Sequence, residues 1–123
     1  MNIITNCRLG LITMLALLLL TIPRSAAAQA GNAEEGHKLF DQTCSKCHGV
    51  DGKANTPIGK AVGAKDLHSA EALKLTDAEI RTQIEQGKGN MPPFGSSLDK
   101  AKINDLVAYV HEMRKQPAGA KKP

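Results

Sequence analysis

Cys44, Cys47 and His48 stand together as Cys-x-x-Cys-His, and no other stretch restricts the fold of this chain as much. Two thiols at that spacing, followed at once by a histidine, are the attachment signature of a c-type haem. Each thiol adds to one vinyl group, and the two thioethers fix the porphyrin against the backbone. His48 is then held beneath the ring, where an imidazole nitrogen binds iron. Two other readings of the cysteine pair compete with this one. Half a zinc site needs four ligands in all, and no partner of matching spacing follows. A thioredoxin-like redox pair wants a βαβ setting, and no strand pattern lies nearby.

The N-terminus agrees with haem attachment. Arg8 gives a weakly positive start, Leu9 to Ile22 is an apolar run, and Pro23 ends it. Small residues follow from Ser25 and close on Ala28-Gln29-Ala30. This is a secretory signal with an A-x-A cleavage site, predicted as a cleavable segment over residues 1–30. The run is short for a membrane span, which needs about 20 apolar residues, although an uncleaved anchor is the alternative. Cys7 precedes the apolar run and so does not look like a lipid-attachment site. Cleavage after Ala30 removes it, leaving Cys44 and Cys47 as the remaining thiols.

What remains is one small domain, expected over residues 31–116, with residues 117–123 a disordered Ala/Gly/Lys/Pro tail. Beyond Ala30 only nineteen Leu, Ile, Val, Phe, Met and Tyr side chains are left. Chains this small bury little surface and often need a metal, disulfide or cofactor, and a haem would supply a large apolar plate. Fourteen Lys and Arg face twelve Asp and Glu in that segment, a charge that two haem propionates would cancel. No basic stripe with interleaved aromatics points to nucleic acid. Scattered lysines are solvated helix faces or, more sharply, a ring steering acidic partners to an exposed haem edge. Lys46, Lys53, Lys60 and Lys88 are the candidates.

The pattern along the chain is helical. Asn32 is a good N-cap, with Glu35 placed to complete a capping box before a helix over about 33–43. Gly36 and Phe40 share one face of it, the glycine suiting close approach of another helix. Residues 49–62, rich in Gly, Asp, Asn and Pro, read as a loop, and 69–75 as a short helix. Thr76 to Glu79 is a capping box opening a helix with Ile80 and Ile84 inward, ended by Gly87. Asp99 caps a last helix over about 100–115, whose stripe is Ile103, Leu106, Val107, Val110 and Met113.

A proximal histidine leaves iron one further position. His37, His68, His111, Met91 and Met113 could fill it, lysines less readily. Met91 stands in Gly87-Lys88-Gly89-Asn90-Met91-Pro92-Pro93-Phe94-Gly95, a loop framed by glycines and by prolines whose fixed φ extends the residue before them. Such a loop presents a thioether at a defined place. Met113 reads as core, His37 and His111 as exposed or capping, and His68 as the main rival.

The sequence resembles the class I monohaem c-type cytochromes over nearly all of the segment beyond Ala30. The matching residues are Gly36-x-x-x-Phe40, Cys44-x-x-Cys47-His48-Gly49, Asp51-Gly52, Pro57-x-Gly59, Asp66-Leu67 and Thr76-x-x-Glu79-Ile80. Gly87 to Phe94 and Leu106-x-x-Tyr109-Val110 complete the set. The resemblance implies an all-α class I cytochrome c fold, three to four main helices around one covalent haem c. It implies that the first and last helices cross at Gly36, Phe40, Leu106 and Tyr109. It also implies that the Pro57 carbonyl accepts the other N–H of His48, and that iron lies between His48 and Met91. No Trp is present to reach a propionate.

Both axial positions filled by protein would favour electron transfer over substrate binding, and a neutral thioether raises the potential. The function expected is a soluble periplasmic electron carrier, not an enzyme and likewise no stable membrane protein once the signal is cleaved. It would be a monomer meeting donor and acceptor proteins briefly at the exposed haem edge. Export suits haem attachment, which in this family takes place outside the bacterial cytoplasm. Two alternatives stand beside it: a haem sensor or peroxidase from which Met91 is displaced, and a haem subunit docked to a larger oxidoreductase. No paired nucleophile and base suggests hydrolysis or group transfer.

Overall fold

The structure is a computed structural model and describes residues 30–116. The expected signal segment up to Gln29, and the expected tail over 117–123, lie outside the described residues. Among the described residues six helices follow one another: α1 (Ala33–Thr43), α2 (Ser45–His48), α3 (Pro57–Val62), α4 (Ala70–Leu73), α5 (Asp77–Gln86) and α6 (Lys100–Lys115). Among the described residues no strand forms, and one isolated antiparallel bridge joins Lys88 and Met91. The fold is all-α, as expected. No helix among the described residues is long and apolar enough to cross a membrane.

Local chemistry explains where the helices start. The Asn32 side chain accepts from the Glu34 and Glu35 amides, Thr76 and Glu79 form a reciprocal capping box, and Asp99 accepts from Lys102 N at 2.9 Å. Each satisfies amides that a first helical turn leaves without partners. Glu35 does not close a box at α1. Its carboxylate lies 2.8 Å from Lys38 Nζ, and the Asn32 amide donates instead to Asp105 Oδ1 on α6 at 2.7 Å. That bond stitches the start of α1 onto α6.

The core sits where α1 and α5 meet α6. Phe40, Ile80, Ile84 and the whole expected stripe of α6 from Ile103 to Met113 are buried together. Phe40 and Leu106 keep 1% of their surface and Ile103 keeps 2%, so each contributes about 2 kcal/mol by leaving water. A Cβ at Gly36 would stand 1.9 Å from the Asp105 carbonyl oxygen and 2.8 Å from Tyr109 Cβ. Only a glycine lets α1 and α6 approach so closely. Tyr109 seals the joint, stacking on His37 at 4.6 Å and meeting Phe40 edge-on at 5.3 Å.

One stretch read as loop contains a helix. Pro57 opens α3 at its first turn and the Thr56 side chain caps it, accepting from Gly59 N. Proline fits that position because its missing N–H has no intrahelical acceptor there. Further on, Arg114 reaches back from α6 to the carbonyls of Leu73 and Leu75 at 2.8 and 3.1 Å, tying α4 to the end of the last helix.

Candidate functional site

The haem-attachment turn is itself helical. Cys44 has αR dihedrals (φ −105°, ψ −31°), and the Cys47 and His48 amides both donate to its carbonyl, at 3.1 and 2.9 Å. Residues at i, i+3 and i+4 share one helix face, so this single turn brings two thiols and an imidazole to one side. Both cysteines are half-buried.

A brace holds the back of the turn. Thr56 Oγ1 donates to the Lys46 carbonyl at 2.7 Å and lies 3.2 Å from the Cys47 carbonyl, while accepting from Gly59 N at 2.8 Å. A Cβ at Gly59 would sit 2.2 Å from the Cys47 carbonyl oxygen, so α3 lies directly on the turn.

The loop over 65–68 fixes the histidine. His48 Nδ1 is 3.0 Å from the Lys65 carbonyl oxygen. A carbonyl only accepts, so Nδ1 carries the proton and Nε2 keeps its lone pair for a metal. The expected partner, Pro57, does not take this role. Residues 57–62 coil into α3, where the Pro57 carbonyl belongs to the helix ladder, and the chain returns to His48 only at Lys65. The same loop is pinned by Leu67 N donating to the Gly52 carbonyl at 2.8 Å and by His68 Nε2, 2.9 Å from the Asp51 carbonyl.

Met91 lies in a sharp reversal. Lys88 and Met91 exchange both backbone bonds at 3.1 Å. Gly87 enters it at φ 74°, where a Cβ would meet the Met91 carbonyl oxygen at 2.5 Å, so glycine is required by both dihedral and space. After the prolines, Phe94 N and Gly95 N donate to the Ile84 and Glu85 carbonyls at 2.9 and 3.0 Å, satisfying the last turn of α5. Asn90 Nδ2 donates to the Val62 carbonyl at 2.8 Å. Met91 itself is half-buried and packs against the core with Cys44, Leu67, Leu75, Phe94 and Leu98.

The remaining candidate donors are engaged. His37 stacks on Tyr109, His111 Nδ1 lies 3.0 Å from Asp77 Oδ1, His68 faces the Asp51 carbonyl, and Met113 is buried in the core. Sequence reasoning missed Lys65, Thr56 and Asn90. Lys65 and Val62 act through main-chain oxygens, which no side-chain type advertises. The Thr56-Pro57 pair, a capping residue followed by proline, was the signal that could have revealed α3.

Burial, and then the neighbouring Cys47, push the Cys44 thiol up to about 11. A thiol kept protonated is the opposite of the lowered thiolate that a thioredoxin-like nucleophile needs. Among the described residues no cluster of three or more His, Cys, Asp or Glu could hold a metal ion, so Cys44 and Cys47 gain no zinc partners there. Two thiols beside an oriented imidazole, next to a half-buried apolar rim, are the donor set that a haem with two vinyl groups requires.

Comparison with known proteins agrees. The family model described as cytochrome c oxidase, cbb3-type, subunit III matches residues 31–110. Cytochrome c6 of Gloeothece citriformis is 37% identical over 99 residues, covering 80% of this chain and 87% of that protein. The cbb3-type cytochrome c oxidase subunit CcoP of Azospirillum brasilense is 34% identical over 89 residues, 71% of this chain but only 30% of the subunit. Among solved structures, the KustC0563 c-type cytochrome matches with a TM-score of 0.59 and 38% identity, over 65% of this chain and 98% of that one. The chain belongs to the monohaem class I c-type cytochromes, all-α electron-carrier domains that hold one haem c by covalent bonds.

Proposed function

We propose that this cytochrome is a periplasmic shuttle whose iron is held by His48 and Met91, the haem being bonded to Cys44 and Cys47. One observation carries the reading: Met91 packs half-buried against the core beside Cys44, whereas Met113 is buried inside it and His37, His68 and His111 are engaged with Tyr109, the Asp51 carbonyl and Asp77. The bound haem supplies an iron that exchanges a single electron between its ferric and ferrous states. The protein does the rest. The Lys65 carbonyl holds the His48 ring in one tautomer and orientation, which makes it a better donor. The Met91 thioether is neutral and favours the ferrous state. With His48 and Met91 both bound to iron, a substrate would find no open position, so the reading is a carrier rather than an enzyme. Lys46, Lys60 and Lys88 are exposed and suit brief docking of acidic redox partners near the attachment turn. The small-residue stretch ending at Ala30 supports export and release from the membrane.

The test is spectroscopic. The ferric protein should show the weak long-wavelength band of a methionine-ligated haem, and Met91→Ala should abolish it and open the iron to carbon monoxide in the ferrous state. A wild-type protein that already binds carbon monoxide tightly would sink the shuttle reading. The likeness to CcoP supports a second reading, a haem-bearing subunit docked to an oxidase. Size-exclusion of the native protein separates a small free monomer from a complex.

A further inference from the structure

We propose that Asn90 is a latch that holds the Met91 reversal against the cysteine-bearing side of the molecule and thereby sets how readily Met91 leaves iron. The inference rests on Met91 being the distal ligand. Asn90 stands at the tip of the reversal, between the two residues of the Lys88–Met91 bridge. Its Nδ2 donates 2.8 Å to the carbonyl of Val62, 28 residues away. Val62 is the last residue of α3, where carbonyls have no intrahelical partner. The other end of α3 is welded to the attachment turn through Thr56 and Gly59. One side-chain amide thus joins the loop bearing one axial ligand to the brace of the turn bearing the other.

Among the described residues, no other hydrogen bond links residues 88–91 to α3. The base of the loop is held differently, by backbone bonds from Phe94 and Gly95 to the end of α5. Those bonds survive any side-chain change, so the loop can loosen at its tip without coming off the fold. Asn90 is exposed, and water competes for its bond, which makes it a tuning contact and not a structural pillar. The chemistry needs a donor: an aspartate of the same shape would set a carboxylate oxygen against the Val62 carbonyl.

The holoproteins Asn90→Ala and Asn90→Asp test this. In the ferric state each is titrated with imidazole, which competes for the position of Met91, while the methionine band is followed. Both variants should keep the band in the absence of imidazole. Asn90→Ala should bind imidazole roughly fivefold more tightly, the effect of one modest hydrogen bond, and Asn90→Asp more tightly still. The guanidinium midpoint of the helical circular dichroism should fall by no more than that same bond accounts for, whereas a merely structural role would lower it further. Wild-type imidazole affinity in both variants, with the band present, overturns the latch and leaves Met91 as ligand. Tighter binding with a fall in the unfolding midpoint larger than one hydrogen bond accounts for also overturns it. A wild-type protein without the band overturns the Met91 reading itself and the latch with it.

Discussion

At the crossing of α1 and α6, Phe40, Ile103 and Leu106 are all but sealed from solvent, whereas Cys44, Leu67, Met91 and Phe94, on the side of the proposed iron ligands, stay half-buried. The first region is an apolar joint closed by a glycine contact and an aromatic stack. The second is a set of loops tied by individual hydrogen bonds: Thr56 to Lys46, His48 to Lys65, Leu67 to Gly52 and Asn90 to Val62. Apolar burial is non-directional and collective, so it supplies stability without fixing one atom's position. Hydrogen bonds contribute less net energy but fix direction. The contrast teaches that the molecule separates holding itself together from aiming its proposed ligands.

Leu106→Ala should do most to break that division. It hollows the centre of the joint and should cost about 4 kcal/mol, read as a lower guanidinium midpoint, with the methionine band lost only on global unfolding. Gly36→Ala comes next, at about 3 kcal/mol, because the added carbon meets the Asp105 backbone, which cannot swing aside. Little change in its midpoint would mean that the crossing is looser than its geometry. In the loop region Thr56→Val keeps shape but deletes a hydroxyl that bonds the Lys46 carbonyl and caps Gly59. A loss of about 2 kcal/mol is expected, with the haem spectrum perturbed below the unfolding transition. If spectrum and fold fail together, the two regions are one cooperative unit.

The smallest change, Glu79→Gln, lies in neither region and calibrates the others. The amide and hydroxyl of Thr76 hold the Glu79 carboxyl below its usual range. A carboxyl pKa lower in the folded than in the unfolded state adds stability above the unfolded value of about 4.3. That contribution fades as the pH falls through the lowered value. Glu79→Gln should therefore unfold slightly earlier than wild type near neutrality, close to the error of the measurement, and the difference should vanish in acid.

Much of this was legible in the residues. Cys44, Cys47 and His48 named the cofactor, Asn32, Thr76 and Asp99 marked helix starts, and Gly36 announced a close crossing. Each of these signals is local, carried by a side chain acting within one turn or by a repeat of three and four. The failures were of another kind. Glu35 was expected to cap α1, but Asp105 from the far end of the chain took the Asn32 amide. Pro57 was expected to face His48, but its carbonyl was consumed by a helix and Lys65 replaced it. Arg114 gave no hint that it would hold the Leu73 and Leu75 carbonyls.

By itself, then, the order of residues determined the cofactor, the helical class, the core stripe and the loop that presents Met91. Those follow from side-chain chemistry and periodicity, which are written in the letters. Which oxygen steadies His48, which helix braces the cysteines and which amide ties the Met91 loop were decided only in three dimensions. Every residue carries the same backbone carbonyl, so the choice among them falls to whichever one the packed helices bring within reach.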